Sequence, residues 1–418
     1  MSIYGWPAMI FLGGLKAAPI FFLLIRGLVR AMDPTLEEAS RISGAGISGT
    51  VRRVVLPLVG PGLFSIFLLV FLSRLDSLEM PLLIGVQAGI NTISVVIFNS
   101  ISGRGSVNYG LASAFGVLLT LLVVLLIAVY SRYVANAEKF VTVSGKASKP
   151  SITKLGRWRH VAVFPAFLYL ALVLFLPISI MFLYSFTPRF APLSAESMLI
   201  DLSLDNYLDV FNRRAFLRAT SNSVMLAVVT AILTIALTFV AAWITKRSRV
   251  RGKGMLEQLT TLPVVVPSIV FGLAILWTYI QTPLYQTLWI LLIAYTAHSL
   301  PYGMRTISPA IVQIHRDLED QARICGASRG STIKTILLPL LRRSLLSSGA
   351  LIILRTMKEF PMSLLLWGVG TEVITVVIYD YWLDSIWPVM SAAAIITLFL
   401  QLPLVLMVMK LGDGPQRE

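Results

Sequence analysis

The chain has 418 residues, 56% of them hydrophobic and only 13% charged, with a mean hydropathy of +0.82. A water-soluble fold needs far more polar covering, so the composition excludes one and indicates a polytopic membrane protein. The net charge of +15 does not indicate nucleic-acid binding, because the basic residues lie between apolar runs instead of on one soluble face. The one cysteine, Cys325, excludes an internal disulfide framework.

Taken in chain order, apolar windows predict nine spans, near 7–29, 58–83, 110–130, 161–186, 220–244, 258–280, 286–304, 344–367 and 389–410. A run such as VAVFPAFLYLALVLFLPISIMFL, at about 1.5 Å per residue, is long enough to cross about 30 Å of hydrocarbon. Helices are expected, since the strands of a membrane barrel would alternate and be about ten residues long. With the carboxyl terminus inside, segments 26–53, 131–159, 246–253, 305–343 and 410–418 are cytoplasmic and hold 26 of the 35 Lys and Arg residues. That is the bias cytoplasmic loops carry. The same topology leaves Met1 outside with no secretory leader before the first span.

An internal repeat bears on this oddity. LEEASRISGAGISGTVRRVVLPL at 36–58 aligns without a gap to LEDQARICGASRGSTIKTILLPL at 318–340, an offset of 282 residues. Glu37/Glu319, Arg41/Arg323, Gly44/Gly326, Thr50/Thr332 and Pro57/Pro339 are identical pairs. Pro19 matches Pro301 at the same offset, and EMPLL at 79–83 resembles EFPMSLL at 359–365. The expected organisation is a tandem of two homologous units, a common transporter plan. Residues 1–140 form a first unit with three spans, 141–160 a basic cytoplasmic linker, and 161–418 a second unit with six. The first unit then lacks the first three spans of its counterpart, so Met1 is expected to be an internal start or the chain a fragment. A natural nine-span protein is the alternative.

The repeated segment reads as a bent cytoplasmic element. Asp33-Pro34 is a helix start, with Asp as cap, Pro in the first turn and acidic residues following. Gly44 and Gly326 permit the positive backbone dihedral of a sharp bend. Arg52, Arg53 and Lys334 then lead into Leu-Pro and the next span. Such an elbow is a handle by which a soluble motor can move spans as a rigid body.

Both copies fit the spacing E-A-A-x3-G-x9-I-x-L-P, with Glu38-Ala39-Ser40, Gly44, Val54 and Leu56-Pro57 in one. The other has Asp320-Gln321-Ala322, Gly326, Ile336 and Leu338-Pro339. Ser40, Val54, Asp320 and Gln321 depart in residue type while the spacing is intact. On these residues the chain resembles the permeases of binding-protein-dependent ABC transporters, and the stretches AMDPTLEEASRISGA and LRTMKEFPMSLLL look most like the fused, two-unit ferric-iron importer permeases. The resemblance implies an all-α membrane fold, a tandem repeat of the type I ABC importer transmembrane domain. It implies that each elbow is the coupling helix docked on an ATPase subunit, a role carried to Glu37, Glu38, Ala39, Gly44, Pro57, Glu319, Asp320, Ala322, Gly326 and Pro339. Two ABC ATPase copies and a periplasmic or lipid-anchored substrate-binding protein are the implied partners, in the bacterial inner membrane. No G-x-x-x-x-G-K-[ST] loop occurs, so ATP is expected to bind a separate subunit and this chain to be neither an enzyme nor the holder of a cofactor.

Ionisable side chains inside a membrane need a reason. Arg74, Asp76 and Glu79 lie in the span after the first elbow, and Arg355, Lys358 and Glu359 in the span after the second. Their mixed signs permit pairing at helical spacing, as an ion-pair lock or as a lining or gate of the substrate path. A ferric site would want hard oxygen donors. Asp201, Asp205, Tyr207 and Asp209, with Asp380, Tyr381 and Asp384, are available, but they are expected to be solvated or docking residues, because in the resembled class the binding protein holds the metal. His298 and His315 are separated by a membrane boundary, and no resident metal is expected. Polyamine, thiamine and phosphonate permeases share the architecture and are the alternative cargoes. A non-transporting membrane scaffold is the alternative of a different class. No H-E-x-x-H motif is present, and the G-x-S-x-G match at Gly326-Ala327-Ser328-Arg329-Gly330 falls within the second repeated segment.

Overall fold

Backbone polar groups in hydrocarbon must be satisfied within the chain, which favours helices. The computed structural model describes residues 4–30, 32–102, 107–137, 158–188 and 202–412, and helices are the regular elements among them. The chain divides into two compact units, Met1–Leu176 and Pro177–Glu418.

In the first unit, α1 (Trp6–Arg30) is followed by a short polar helix, α2 (Pro34–Ile42). Then come α3 (Ile47–Leu75), the bent pair α4 (Pro81–Ala88) and α5 (Ile93–Ser102), and α6 (Tyr109–Ala137). α1 and α6 both pack on α3. Pro19 interrupts α1 chemically: lacking an N–H, it cannot serve the carbonyl of Leu15 four residues earlier. Tyr169 does so instead, donating from its hydroxyl to that carbonyl at 2.8 Å. Tyr169 lies on α7 (Arg159–Tyr184), and the unit boundary falls within this helix.

The second unit opens with α8 (Asp205–Asn212), α9 (Arg214–Arg247) and the bent pair α10 (Lys253–Val265) and α11 (Ser268–Tyr279). It continues with α12 (Leu288–Gln313), α13 (Asp317–Ile324) and α14 (Arg329–Met357). Last are α15 (Pro361–Leu366), α16 (Ile374–Leu383) and α17 (Trp387–Gly412). The order α12 to α17 repeats that of α1 to α6, long helix, elbow, span, two short helices, long helix, so the tandem organisation is a property of the fold.

Seven helices among the described residues are long and apolar enough to cross a membrane, or up to nine if each bent pair is one span. The total agrees with the sequence reading, but the membership differs. The expected span 58–83 begins earlier and ends at Leu75, and 344–367 likewise becomes Arg329–Met357, because the second arm of each elbow runs unbroken into its span. The 258–280 window is broken by 110° at Pro267, where the backbone turns extended (φ −54°, ψ 141°). The pair α4 and α5 bends by 87° beyond Gly89, whose φ of +74° is left-handed. The 286–304 window lies in α12, which has the length at 26 residues but is made too polar by residues such as His298, Ser299 and Arg305 to count among the apolar helices. It is buried instead by its neighbours, with Ile290, Leu291, Ala294, Ile307 and Ile311 fully enclosed.

The close crossing of α9 and α12 rests on small residues, as between membrane helices generally. Ala231, Thr234, Thr238, Ala241 and Ala242 are buried on α9. A Cβ on Gly303 would stand 2.6 Å from Thr238 Oγ1 and 2.8 Å from its Cγ2. Gly303→Val is therefore expected to destabilise the second unit by about 1–3 kcal/mol through overpacking, read as a lower unfolding midpoint in detergent. Thr238→Ala should recover most of the loss for Gly303→Ala.

Candidate functional site

Each elbow is built by the same local chemistry. In the first, the Asp33 side chain accepts from Thr35 N at 3.0 Å and Pro34 occupies the first turn, which starts α2. At the other end Gly44 takes φ +85°, and two hydrogen bonds close the turn, Gly44 N to Arg41 O at 2.9 Å and Ala45 N to Ser40 O at 3.1 Å. This is a Schellman cap, whose left-handed residue is usually glycine. The second elbow repeats it with Gly326 at φ +84°, Gly326 N to Arg323 O at 2.9 Å and Ala327 N to Ala322 O at 2.9 Å.

After the bend, Pro57 and Pro339 set the entry into the span. Each proline ring would collide with the carbonyl four residues earlier in a regular α-helix. Both chains of hydrogen bonds widen just ahead of it into a π turn, Val51–Val55 and Ile333–Leu337, in which Leu56 N reaches Val51 O and Leu338 N reaches Ile333 O. Thr50 and Thr332 are both buried, and Thr332 donates to the carbonyl of Ser328 at 3.0 Å. Ser40 and Thr50 share a hydrogen bond of 3.0 Å between their hydroxyls.

The remaining elbow positions sort by exposure. Glu38, Ala39 and Asp320 are exposed, whereas Glu37 and Ala322 are half-buried. Glu319 is only 6% exposed; its Oε1 lies 2.9 Å from Nε of Arg247 at the end of α9. It therefore faces into its own unit. The sequence reading omits the most exposed apolar side chains on these helices: Ile42 is 87% and Ile324 85% exposed, accompanied by Leu36 at 38% and Leu318 at 43%. Both pairs obey the 282-residue offset, and that identity within a polar segment was the available signal. Apolar side chains held on short polar helices are the chemistry of a docking contact.

The charged clusters lie at the far end of the spans that leave the elbows. Arg74 and Arg355 occupy the last turns of α3 and α14, where a cation also complements the helix dipole. Asp76 and Lys358 cap those helices. Glu79 takes its cation from α1, Lys16 Nζ lying 3.2 Å away, while Nε of Arg74 is buried without a hydrogen bond. In the second unit Arg355 lies with Cζ 3.9 Å from the Tyr302 ring centre and a guanidinium nitrogen 3.4 Å from His298 Nδ1. Lys16 and His298 are themselves 282 residues apart; Lys16 ties α1 to Glu79 in the connection between α3 and α4, whereas His298 meets Arg355 on α14 itself. Glu359 accepts from Met362 N at 3.4 Å, at the start of α15.

Among the hard oxygen donors, Tyr207 shares a 2.7 Å hydrogen bond with Ser185. Asp209 pairs with Arg213 at 2.9 Å, and that guanidinium lies over the Tyr381 ring. Asp201 lies outside the described residues. Among the described residues no group of three His, Cys, Asp or Glu side chains is placed to hold a metal ion.

Known proteins share this design. Over 383 residues the chain is 27% identical to the ferric transport system permease protein of Actinobacillus pleuropneumoniae, covering 90% of this chain and 54% of that protein. It is 22% identical over 374 residues to an Fe(3+)-transport system permease protein of Haemophilus influenzae, covering 89% and 70%. To the spermidine/putrescine transport system permease protein of the same organism it is 25% identical over 249 residues, covering 60% and 94%. The chain thus spans about half the length of the first of these relatives. The family described as binding-protein-dependent transport system inner membrane component matches residues 2–142 and again 235–411, and each match contains one elbow. With two matched segments, two identically capped elbows and one repeated order of helices, the chain belongs to the family of binding-protein-dependent transport system inner membrane components.

Proposed function

We propose that this chain is the transmembrane permease subunit of an ATP-driven importer of ferric iron in a bacterial inner membrane. It has its carboxyl terminus on the cytoplasmic side, where the basic segments fall. ATP is bound and hydrolysed by two copies of a separate ATPase subunit, and a substrate-binding protein delivers cargo to the outer loops. The observation that carries this reading is the matched pair of elbows, each a rigid bend whose exposed Leu and Ile (Leu36 and Ile42, Leu318 and Ile324) offer a soluble partner a grip. Closure of the ATPases would turn both elbows, and with them α3 and α14, which continue each elbow without a break. Arg74, Asp76, Glu79, Arg355, Lys358 and Glu359, at the opposite ends of those spans, are the residues by which the motion would open or close the path.

Iron is favoured as cargo because the two ferric relatives align over nearly all of this chain, the polyamine relative over 60%. The test is reconstitution of the chain in proteoliposomes with its ATPase and binding protein. ATP-dependent accumulation of radioactive iron, with no accumulation of spermidine, is the expected result. Uptake of spermidine alone would replace the cargo, and a complex without any binding-protein-stimulated ATP hydrolysis would make the chain a scaffold.

A further inference from the structure

Three helix ends of the second unit meet on one side chain. Arg247, the last residue of α9, is 8% exposed at its side chain, and so is Glu319 on α13. Nε of Arg247 lies 2.9 Å from Glu319 Oε1, close enough for ion pairing although the N–H is not aimed along a hydrogen-bond axis. The Nη2 group donates to the carbonyl of Ile311 at 2.8 Å and to that of Ile314, at the end of α12 where the Ile311 carbonyl also accepts from Ile314 N at 3.2 Å. Arg316, just before α13, returns a hydrogen bond to the carbonyl of Lys246 at 2.8 Å. The surroundings are apolar, with Ala242, Ile307, Ile311, Leu337 and Leu341 buried nearby.

A cation that only closed the end of α12 would need no carboxylate from the elbow. The carboxylate here comes from α13, so turning the elbow away from α9 and α12 would strand two buried charges, far costlier than parting apolar surfaces. We infer that Arg247 is a positioning residue of the transport machinery: through Glu319 it locks the second elbow to α9 and α12, so that the elbow's movement is delivered to three long helices, α9, α12 and α14, as one body. The inference rests on the coupling reading of the elbows.

The experiment uses the reconstituted complex with its ATPase and binding protein, and reads cargo taken up per ATP hydrolysed. A residue needed only for stability would lower the yield or the melting point of the complex and leave that ratio alone. Loss of a coupling contact changes it, typically by about 5–150-fold. Arg247→Gln and Glu319→Gln are each expected to lower the ratio by about tenfold, within that range. The double variant should be no worse than the worse single one, because residues acting as a unit are not additive. Where Arg247→Gln does not assemble, Arg247→Lys, which keeps the charge but loses the fork onto the two carbonyls, replaces it and should show a smaller drop. An unchanged ratio in an assembled variant, or losses that multiply in the double variant, would overturn the inference. A parent complex that shows no ATP-driven uptake at all would instead sink the coupling reading beneath it.

Discussion

Gly326→Val is expected to abolish ATP-driven uptake while the chain still inserts into the membrane. The residue sits at φ +84°, a region in which a β-branched side chain is a genuine outlier and such strain costs about 1–3 kcal/mol. Space is not the obstacle, since a Cβ at this position would meet nothing within 4 Å. The strain therefore acts on the backbone alone, and its relief must open the bend that joins α13 to α14. Gly326→Asn tests this point, because asparagine tolerates the left-handed region; it should keep most of the uptake that valine loses. Membrane vesicles with the valine form pumping at the parental rate would remove the elbow from the mechanism. Gly44 has the same dihedral and the same open surroundings, and the equivalent substitution should act in the same direction.

Ile42→Asp combined with Ile324→Asp is expected to release the ATPase from the purified complex. Burying an isoleucine completely contributes about 1.5–3 kcal/mol, so each elbow stands to lose roughly tenfold or more in affinity by the usual conversion, and a carboxylate carried into an apolar contact adds a desolvation cost. The fold has little to lose, because both side chains are already more than 80% exposed at 87% and 85%. Copurification checks the result: the parent chain retains its ATPase through detergent extraction, and the double variant emerges alone with an unchanged melting midpoint. Retention of the ATPase would mean that some other surface carries the contact.

The elbows were legible in the sequence because their chemistry is local. A cap, a left-handed glycine and a proline at fixed spacing specify a bend wherever they occur, and the 282-residue repetition lifted the pattern out of chance. The bends at Pro267 and Gly89 were not legible in the same way, since an apolar window reports how much hydrocarbon a segment tolerates and says nothing of its direction. α12 shows the converse. Its His298, Ser299 and Arg305 lower its apparent hydrophobicity, yet packing against α9 and α14 buries much of it. At the elbow itself, charge misdirected attention. Acidic side chains stood out as contacts, while Leu36, Ile42, Leu318 and Ile324 were given no role. Only tertiary structure could reveal that Glu319 is spent on Arg247, a residue whose charge had been read as a topology signal.

The internal comparison of the two elbows carries an evolutionary consequence. Three consecutive positions have drifted apart, Glu38 against Asp320, Ala39 against Gln321 and Ser40 against Ala322, while leucine at 36 and 318 and isoleucine at 42 and 324 are the same, as are Glu37 and Glu319 and Arg41 and Arg323. If both are gripped by identical sockets of a homodimeric motor, any change in a socket is imposed on both grips in the same generation. Two halves of one gene, free to diverge elsewhere, would then be kept alike at the side chains that enter the socket.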